Sequence, residues 1–295
     1  MSNKFKHHFF IRLFLFILLS LSLTLPINEI QALAEETGSG TIDSPYLIYS
    51  VEDLKGISNE LGAHYKLMND IDLKGEEWTP IGTNSATFTG TLDGNGYKVH
   101  NLVIDQSSID YIGLFGYTSN ATIKSLELND IQITGKNYVG SLIGIAAGTT
   151  IIENVKLTGN STVSGANYVG GLVGNVRGAL ATEIKLTENS TVHGASYVGG
   201  LFGSTNAGTL NKSYALGTVT GSGNGNGVGG LIGINGNMSV NESYSTSNVS
   251  GGEYVGGLIG QIPSSSGNMV ITNNYALGDV SGTTYVGGLI GYTSR

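Results

Sequence analysis

The sequence predicts an all-β protein whose chain winds into a parallel solenoid, with coils of about 29 residues and about three short strands in each. Three observations predict it. The heptad Tyr-Val-Gly-Gly-Leu-Ile-Gly at 254–260 returns at 285–291, with close copies elsewhere. Its leucine falls at Leu114, Leu142, Leu172, Leu201, Leu231, Leu258 and Leu289, in steps of 28, 30, 29, 30, 27 and 31 residues. A period of this size marks a stacked array. Second, two further columns recur in each period. One is an apolar-x-leucine pair that includes Val155/Leu157, Ile184/Leu186 and Tyr214/Leu216, broken only at Thr246; the other is an apolar-x-glycine pair such as Val163/Gly165 and Val192/Gly194. Such alternation is the mark of a strand. Third, the insertions at 221–227 and 263–267 leave the columns intact on both sides, so they belong in loops.

Taken in order along the chain, the first element is an export signal. Lys4, Lys6 and Arg12 precede an apolar run from Leu13 to Leu25, and Ala32-Leu33-Ala34 supplies a small-x-small cleavage pattern. The run is too short to span a membrane. Cleavage is expected after Ala34, giving a mature chain that is secreted or held at the cell surface and has no membrane span. Removing residues 1–34 takes the net charge from −8 to −10.

Residues 35–110 are read as an N-terminal cap and first coil. Val51, Leu54, Ile57 and Leu61 share one face of a predicted helix over 51–61, with Ser50 placed to cap it and Gly62 to end it. A helix beside the first coil would cover an open sheet edge. Trp78, the only tryptophan, is assigned to core or cap packing.

Residues 111–295 are the repeat body. A coil cannot bury its own faces, so each strand must pair with its equivalents above and below. Within the heptad, a bend at Gly-Gly would turn both valine and leucine inward, on the expectation that glycine accepts the needed backbone angles. Tyr111, Tyr138, Tyr168, Tyr197, Tyr254 and Tyr285 would form one ladder, interrupted at Gly227. The ladder has two readings, a sugar- or surface-binding stripe and a packing device that shields the edge. The chain stops four residues after the last heptad, so its final coil is expected to expose an edge through which copies could associate.

The composition excludes several chemistries. From Tyr111 onward there are seven basic and eight acidic residues, too balanced and too sparse for a nucleic-acid partner. With no cysteine there is neither a disulfide nor a thiol nucleophile. His64, His100 and His193 do not fall in the His-Glu-x-x-His spacing of a zinc peptidase. Asp70-Ile71-Asp72 places two carboxylates on one strand face, which calcium could use, but turn bonding is the simpler use. Lys124, Lys156 and Lys185 stack at comparable positions near Glu127, Glu153 and Glu183, as a solvated face or, alternatively, the base cluster of a polysaccharide lyase. No cofactor is expected.

The recurring Gly-Leu-x-Gly at 113–116, 171–174, 200–203, 230–233, 257–260 and 288–291, with Ser141 in place of the first glycine at 141–144, resembles the GLUG repeat. The segments GTIDSPYLIYSVEDLKGISNEL, YKLMNDIDL, WTPIG and FTGTLDGNGYKVHNLVI are similar to the opening module of proteins carrying that repeat. The resemblance covers roughly 39–295. It implies a right-handed solenoid of the pectin-lyase-like kind, found in exported bacterial adhesin-like proteins and in the non-catalytic part of some immunoglobulin A1 metallopeptidases. The expected function is therefore a non-enzymatic surface, adhesion or spacer module that binds a glycan or a host or bacterial surface protein. The alternatives are a carbohydrate-active enzyme and the non-catalytic N-terminal part of a larger secreted peptidase.

Overall fold

Alternating apolar residues need a partner on both sides of every strand, and the fold supplies one by stacking. The computed structural model describes residues 37–222, 226–264 and 267–294. The export signal at 1–34 and the centres of both insertions, 223–225 and 265–266, lie outside the described residues. Among the described residues four parallel sheets, of fifteen, six, seven and seven strands, run along the stack; the first starts at Tyr46–Ile48, the six-stranded one at Asn137–Val139, and the other two at Phe115–Ser119 and Val103–Asp105. Together they make a β-solenoid of about eight turns. All the pairings between strands are parallel, as successive turns of one winding chain require.

A central coil contains Asn167–Gly170, Val173–Arg177, Leu180–Thr182, Lys185–Leu186 and Thr191–Gly194. The three apolar segments read from the sequence are all present. The heptad segment divides into two strands, and the middle segment divides where an earlier coil keeps one unbroken strand, Ile151–Thr158. A coil therefore carries four or five strands and turns more corners than its apolar columns reveal.

Like residues meet like residues along the stack. Val139, Val169, Val198, Val228 and Val255 are in register and fully buried. The marker leucines follow one another through backbone bonds, with Leu142 N–H donating to Leu172 O and Leu172 N–H to Leu201 O, at 3.0 and 3.1 Å. The bend in the heptad does turn valine and leucine inward together: Val169 and Leu172 are both fully buried.

The reason for the glycines differs from expectation. Left-handed backbone falls on the tyrosine, at φ 58° for Tyr168, and not on Gly170, Gly171 or Gly174. These glycines are needed for space. A Cβ on Gly170 would lie 2.7 Å from Gly203 N, and one on Gly171 would lie 2.2 Å from Gly200 O, in the next coil. At these glycines the backbones of adjacent coils leave no room for a Cβ, whereas one coil earlier the small side chain of Ser141 is accommodated, its Oγ–H donating to Gly171 O.

The second column also departs from its sequence alignment. Leu157 pairs with Leu186, but Leu186 pairs with Ala215 rather than Leu216, and Lys185 pairs with Tyr214. One residue of slip exchanges the faces of a strand. Ser213 and Ser243 thus point inward, where they are fully buried. Each is satisfied: Ile184 N–H donates to Ser213 Oγ at 3.2 Å, and Ser213 N–H to Ser243 Oγ at 3.1 Å.

The N-terminal end closes as expected, with a shorter helix. Helix α1, Val51–Gly56, continues into a 3-10 turn, Ile57–Asn59. Ser50 Oγ accepts from Asp53 N–H while the Asp53 side chain accepts from Ser50 N–H, a reciprocal cap. Leu54 and Ile57 are fully buried and join the core. Trp78 is 5% exposed, and its Nε1–H donates to Leu114 O at 3.2 Å. Among the described residues no helix is long and apolar enough to cross a membrane.

Candidate functional site

Of the six tyrosines singled out by the repeat, five stand on the six-stranded sheet at the corner before the heptad bend, and Tyr111 lies one coil before it, next to the bridge between Ile112 and Val139. Each is held at positive φ, between 53° and 65°, which throws the ring out of the core. Parallel register then lays the rings over one another. Tyr111 and Tyr138 have centroids 5.3 Å apart, Tyr138 and Tyr168 4.8 Å, Tyr168 and Tyr197 5.1 Å, with interplanar angles of 7°, 3° and 16°. Tyr254 and Tyr285 continue the stack at 5.2 Å and 28°. Gly227 occupies the missing rung between Tyr197 and Tyr254, in the same left-handed conformation at φ 71°. Within each run, the faces of a ring are taken by its neighbours. A further ring, Tyr292, packs against the second run, 4.7 Å from Tyr254 and 5.2 Å from Tyr285 between centroids.

The register slip creates a second aromatic ladder that the sequence reading placed in the core. Tyr214, Tyr244 and Tyr275 face outward and stack at 5.1 and 4.8 Å. The Nζ of Lys185, one rung before, lies 5.9 Å from the Tyr214 ring centroid, so a cation caps this ladder. The Tyr244 phenol is pushed up by burial, with Tyr214 and Tyr275 adding to it. The signal for this ladder was present as tyrosine at three successive periods. It was masked because Leu216 and Leu277 suggested the wrong inward partner.

The lysines do not form one stack. Lys124 lies in register with Asp93 and Glu153, whereas Lys156 lies in register with Glu127 and Lys185. Charges alternate along the first column, while in the second Lys156 is followed by Lys185; three ion pairs form, Lys124–Asp93 at 3.3 Å, Lys98–Glu127 at 3.1 Å and Lys156–Glu127 at 3.9 Å. The side chains of Lys98, Lys124 and Lys156 are 44%, 40% and 41% exposed, so the columns face solvent.

Asp70 bonds to the next coil, and Asp72 bonds both within its own turn and to the next coil. Asp70 Oδ1 accepts from Lys98 N–H at 2.9 Å, and Asp72 Oδ1 accepts from Lys74 N–H at 3.0 Å and Asn101 Nδ2–H at 2.8 Å. The Asn101 bond, followed by that from Lys74, holds the Asp72 carboxyl below its usual range. Among the described residues no group of three or more His, Cys, Asp or Glu side chains is placed to hold a metal ion.

Residues 48–159 match the family model of the N-terminal region of the M26 immunoglobulin A1-specific metallo-endopeptidases. Halomucin of Haloquadratum walsbyi is 40% identical over 136 residues, which are 41% of this chain and 2% of that protein. An immunoglobulin A1 protease of Streptococcus pneumoniae is 31% identical over 112 residues, 36% of this chain and 5% of that protein. The chain thus spans a small part of the length of these relatives. The crystal structure of a candidate immunoglobulin A1 protease from Bacteroides ovatus has the same fold, with a TM-score of 0.62 over 85% of this chain and 86% of that one, at 18% identity.

Proposed function

We propose that this chain, related over residues 48–159 to the N-terminal region of immunoglobulin A1 proteases, is a non-catalytic β-solenoid module of an exported surface protein, and that its repeats are of the GLUG type. The observation that carries the reading is the location of that match: it covers the capped first turns of the stack. The geometry fits a spacer. Successive coils bond along one axis, Lys98, Lys124 and Lys156 are held in ion pairs and Asp70 and Asp72 in hydrogen bonds, and the largest investment of sequence is in glycines that let coils approach. In this reading residues 1–34 are a leader cleaved after Ala34, 35–110 are the cap and first coil, and 111–295 are the repeat body that carries a neighbouring functional part away from the cell surface.

The test is an activity screen of the secreted protein against immunoglobulin A1 and against plant and bacterial polysaccharides. No new peptide fragments, reducing ends or unsaturated products are expected. N-terminal sequencing should begin at Glu35. Hydrolysis of either substrate class would overturn the non-catalytic assignment.

A further inference from the structure

The tyrosine stack begins at Tyr111, whose recorded ring contacts are Tyr138, nearly parallel, and Tyr117, tilted 58° at 6.4 Å. One face of Tyr111 is therefore taken by the next rung. The preceding coil brings no further ring. It brings the segment 79–85, which bulges outward at Gly82, φ 78°, and closes in a turn in which Thr83 N–H donates to Ala86 O at 2.8 Å. Between this bulge and the corner at 106–112 lies a cavity of about 450 Å³ that Tyr111 lines, within the range of small-molecule pockets.

A second ladder ends at the same place. Asn167 Nδ2–H donates to Asn137 Oδ1 at 2.9 Å, and Asn137 Nδ2–H donates to Asp110 Oδ1 at 2.9 Å. Asn137 N–H also reaches Asp110 Oδ1, at 3.2 Å. These bonds fix the Asp110 carboxylate from one side, and no partner is recorded among the described residues for its other oxygen. Asp110 lines the cavity, as do Thr79, Asn84, Ser85 and Gln106. Ile109, 50% exposed, adds an apolar surface at the mouth.

We infer that this cavity is a binding site for a neutral saccharide, whose ring stacks on Tyr111 as an additional rung. The chemistry fits that class. An aromatic platform accepts the apolar face of a sugar ring, while hydroxyl, amide and carboxylate groups around it match the sugar's hydroxyls. The lining has one carboxylate and neither lysine nor arginine, so uronic acids, sulfated sugars and phosphates are disfavoured by charge. The inference goes beyond the spacer reading and does not need it: a chain that hydrolysed glycan would sink that reading and leave this site standing.

The test uses the full exported chain, titrated calorimetrically with neutral oligosaccharides of mannose, galactose and N-acetylglucosamine, with polygalacturonate as the anionic control. At least one neutral series should bind and polygalacturonate should not. Tyr111→Leu should weaken that binding at least tenfold, and Tyr285→Leu, at the far end of the stack, should leave it unchanged. Asn84→Ala, in the exposed bulge, keeps the test informative if Tyr111→Leu fails to fold, and should also weaken binding. Amide exchange should slow on ligand addition at 79–85 and 106–112. The inference is overturned if no neutral series binds, if polygalacturonate binds better, or if Asn84→Ala and Tyr111→Leu bind like the parent.

Discussion

From Tyr111 onward every coil but the one at Gly227 holds one tyrosine in a backbone conformation that L-residues avoid, at a cost of ~1–2 kcal/mol. Tyr168, at φ 58°, is half-buried between two parallel rings, so stacking offsets the strain. Both variants Tyr168→Ala and Tyr168→Gly lose the stack, but only the first keeps the strain. The glycine variant gives back part of the gain through its freer unfolded chain, ~0.5–1 kcal/mol. It should still be the more stable of the two by about 0.5–1 kcal/mol in chemical unfolding. An alanine variant that is the more stable would contradict the assignment of strain. Gly227, the one rung without a ring, is consistent with this: where nothing stacks, the residue is one that bears the angle freely. A second prediction concerns Tyr65, whose phenol is pushed up to about 12, by burial first and then by Glu60 and Tyr46. Its hydroxyl donates to Glu60 O at 2.8 Å. Because folding raises the value above its ordinary 10.0, this group's contribution is complete below pH 10 and is lost as pH climbs toward 12. Stability should therefore fall less steeply over that window in Tyr65→Phe than in the parent, and equal slopes would remove Tyr65 from the account.

Among elements, the repeat columns made most of the stack legible, because period and burial coincide wherever the inward residue is large. Leu172 was assigned to a ladder between Leu142 and Leu201, and it is fully buried there. Leu172→Ala should cost ~2–5 kcal/mol, and Leu172→Asp more, measured by thermal or chemical unfolding. A Leu172→Asp midpoint equal to the parent's would refute the register. What the sequence hid was the slip at Tyr214. Inward Ala215 and Ser245 are small, and their outward neighbours are large and aromatic, so hydrophobicity pointed to the wrong face. The heptad glycines were hidden for a related reason. A glycine needed for space and one needed for its backbone angle look alike in a sequence, and only the neighbouring coil distinguishes them. Gly171→Ala should be destabilising by at least ~1–3 kcal/mol, since its Cβ would meet backbone that cannot move without opening the stack. The cavity beside Tyr111 was not legible, because it depends on a bulge from another coil.

At the scale of the whole molecule, the two ends of the described stack differ. The first turns are covered by α1 and by Trp78. In the last coil Tyr285 is 54% exposed, Val286 45% and Leu277 74%, and its strands Thr284–Gly287 and Ile290–Thr293 pair on one side only. Such an edge adds strands. We propose that a protein ending at Arg295 self-associates through this coil. Light scattering should show a concentration-dependent mass that Val286→Pro abolishes. A parent chain that is monomeric throughout, with 284–293 as protected from exchange as the central coils, would reject the proposal.

The direction of the backbone bonds has a mechanical consequence. They run from coil to coil, along the line on which a tether would be pulled, so tension applied across the stack loads one coil's bonds at a time. Each coil adds ~4.8 Å to the folded length, yet its 29 or so residues extend to roughly 100 Å once released. The molecule is then a coiled reserve of chain that lengthens about twentyfold per released turn, giving way first at its poorly buried end. Pulled from both ends in a force spectrometer, it should yield a sawtooth with increments of roughly 90–100 Å, one per coil. A single rupture releasing the whole chain at once would mean that the coils share one cooperative fate.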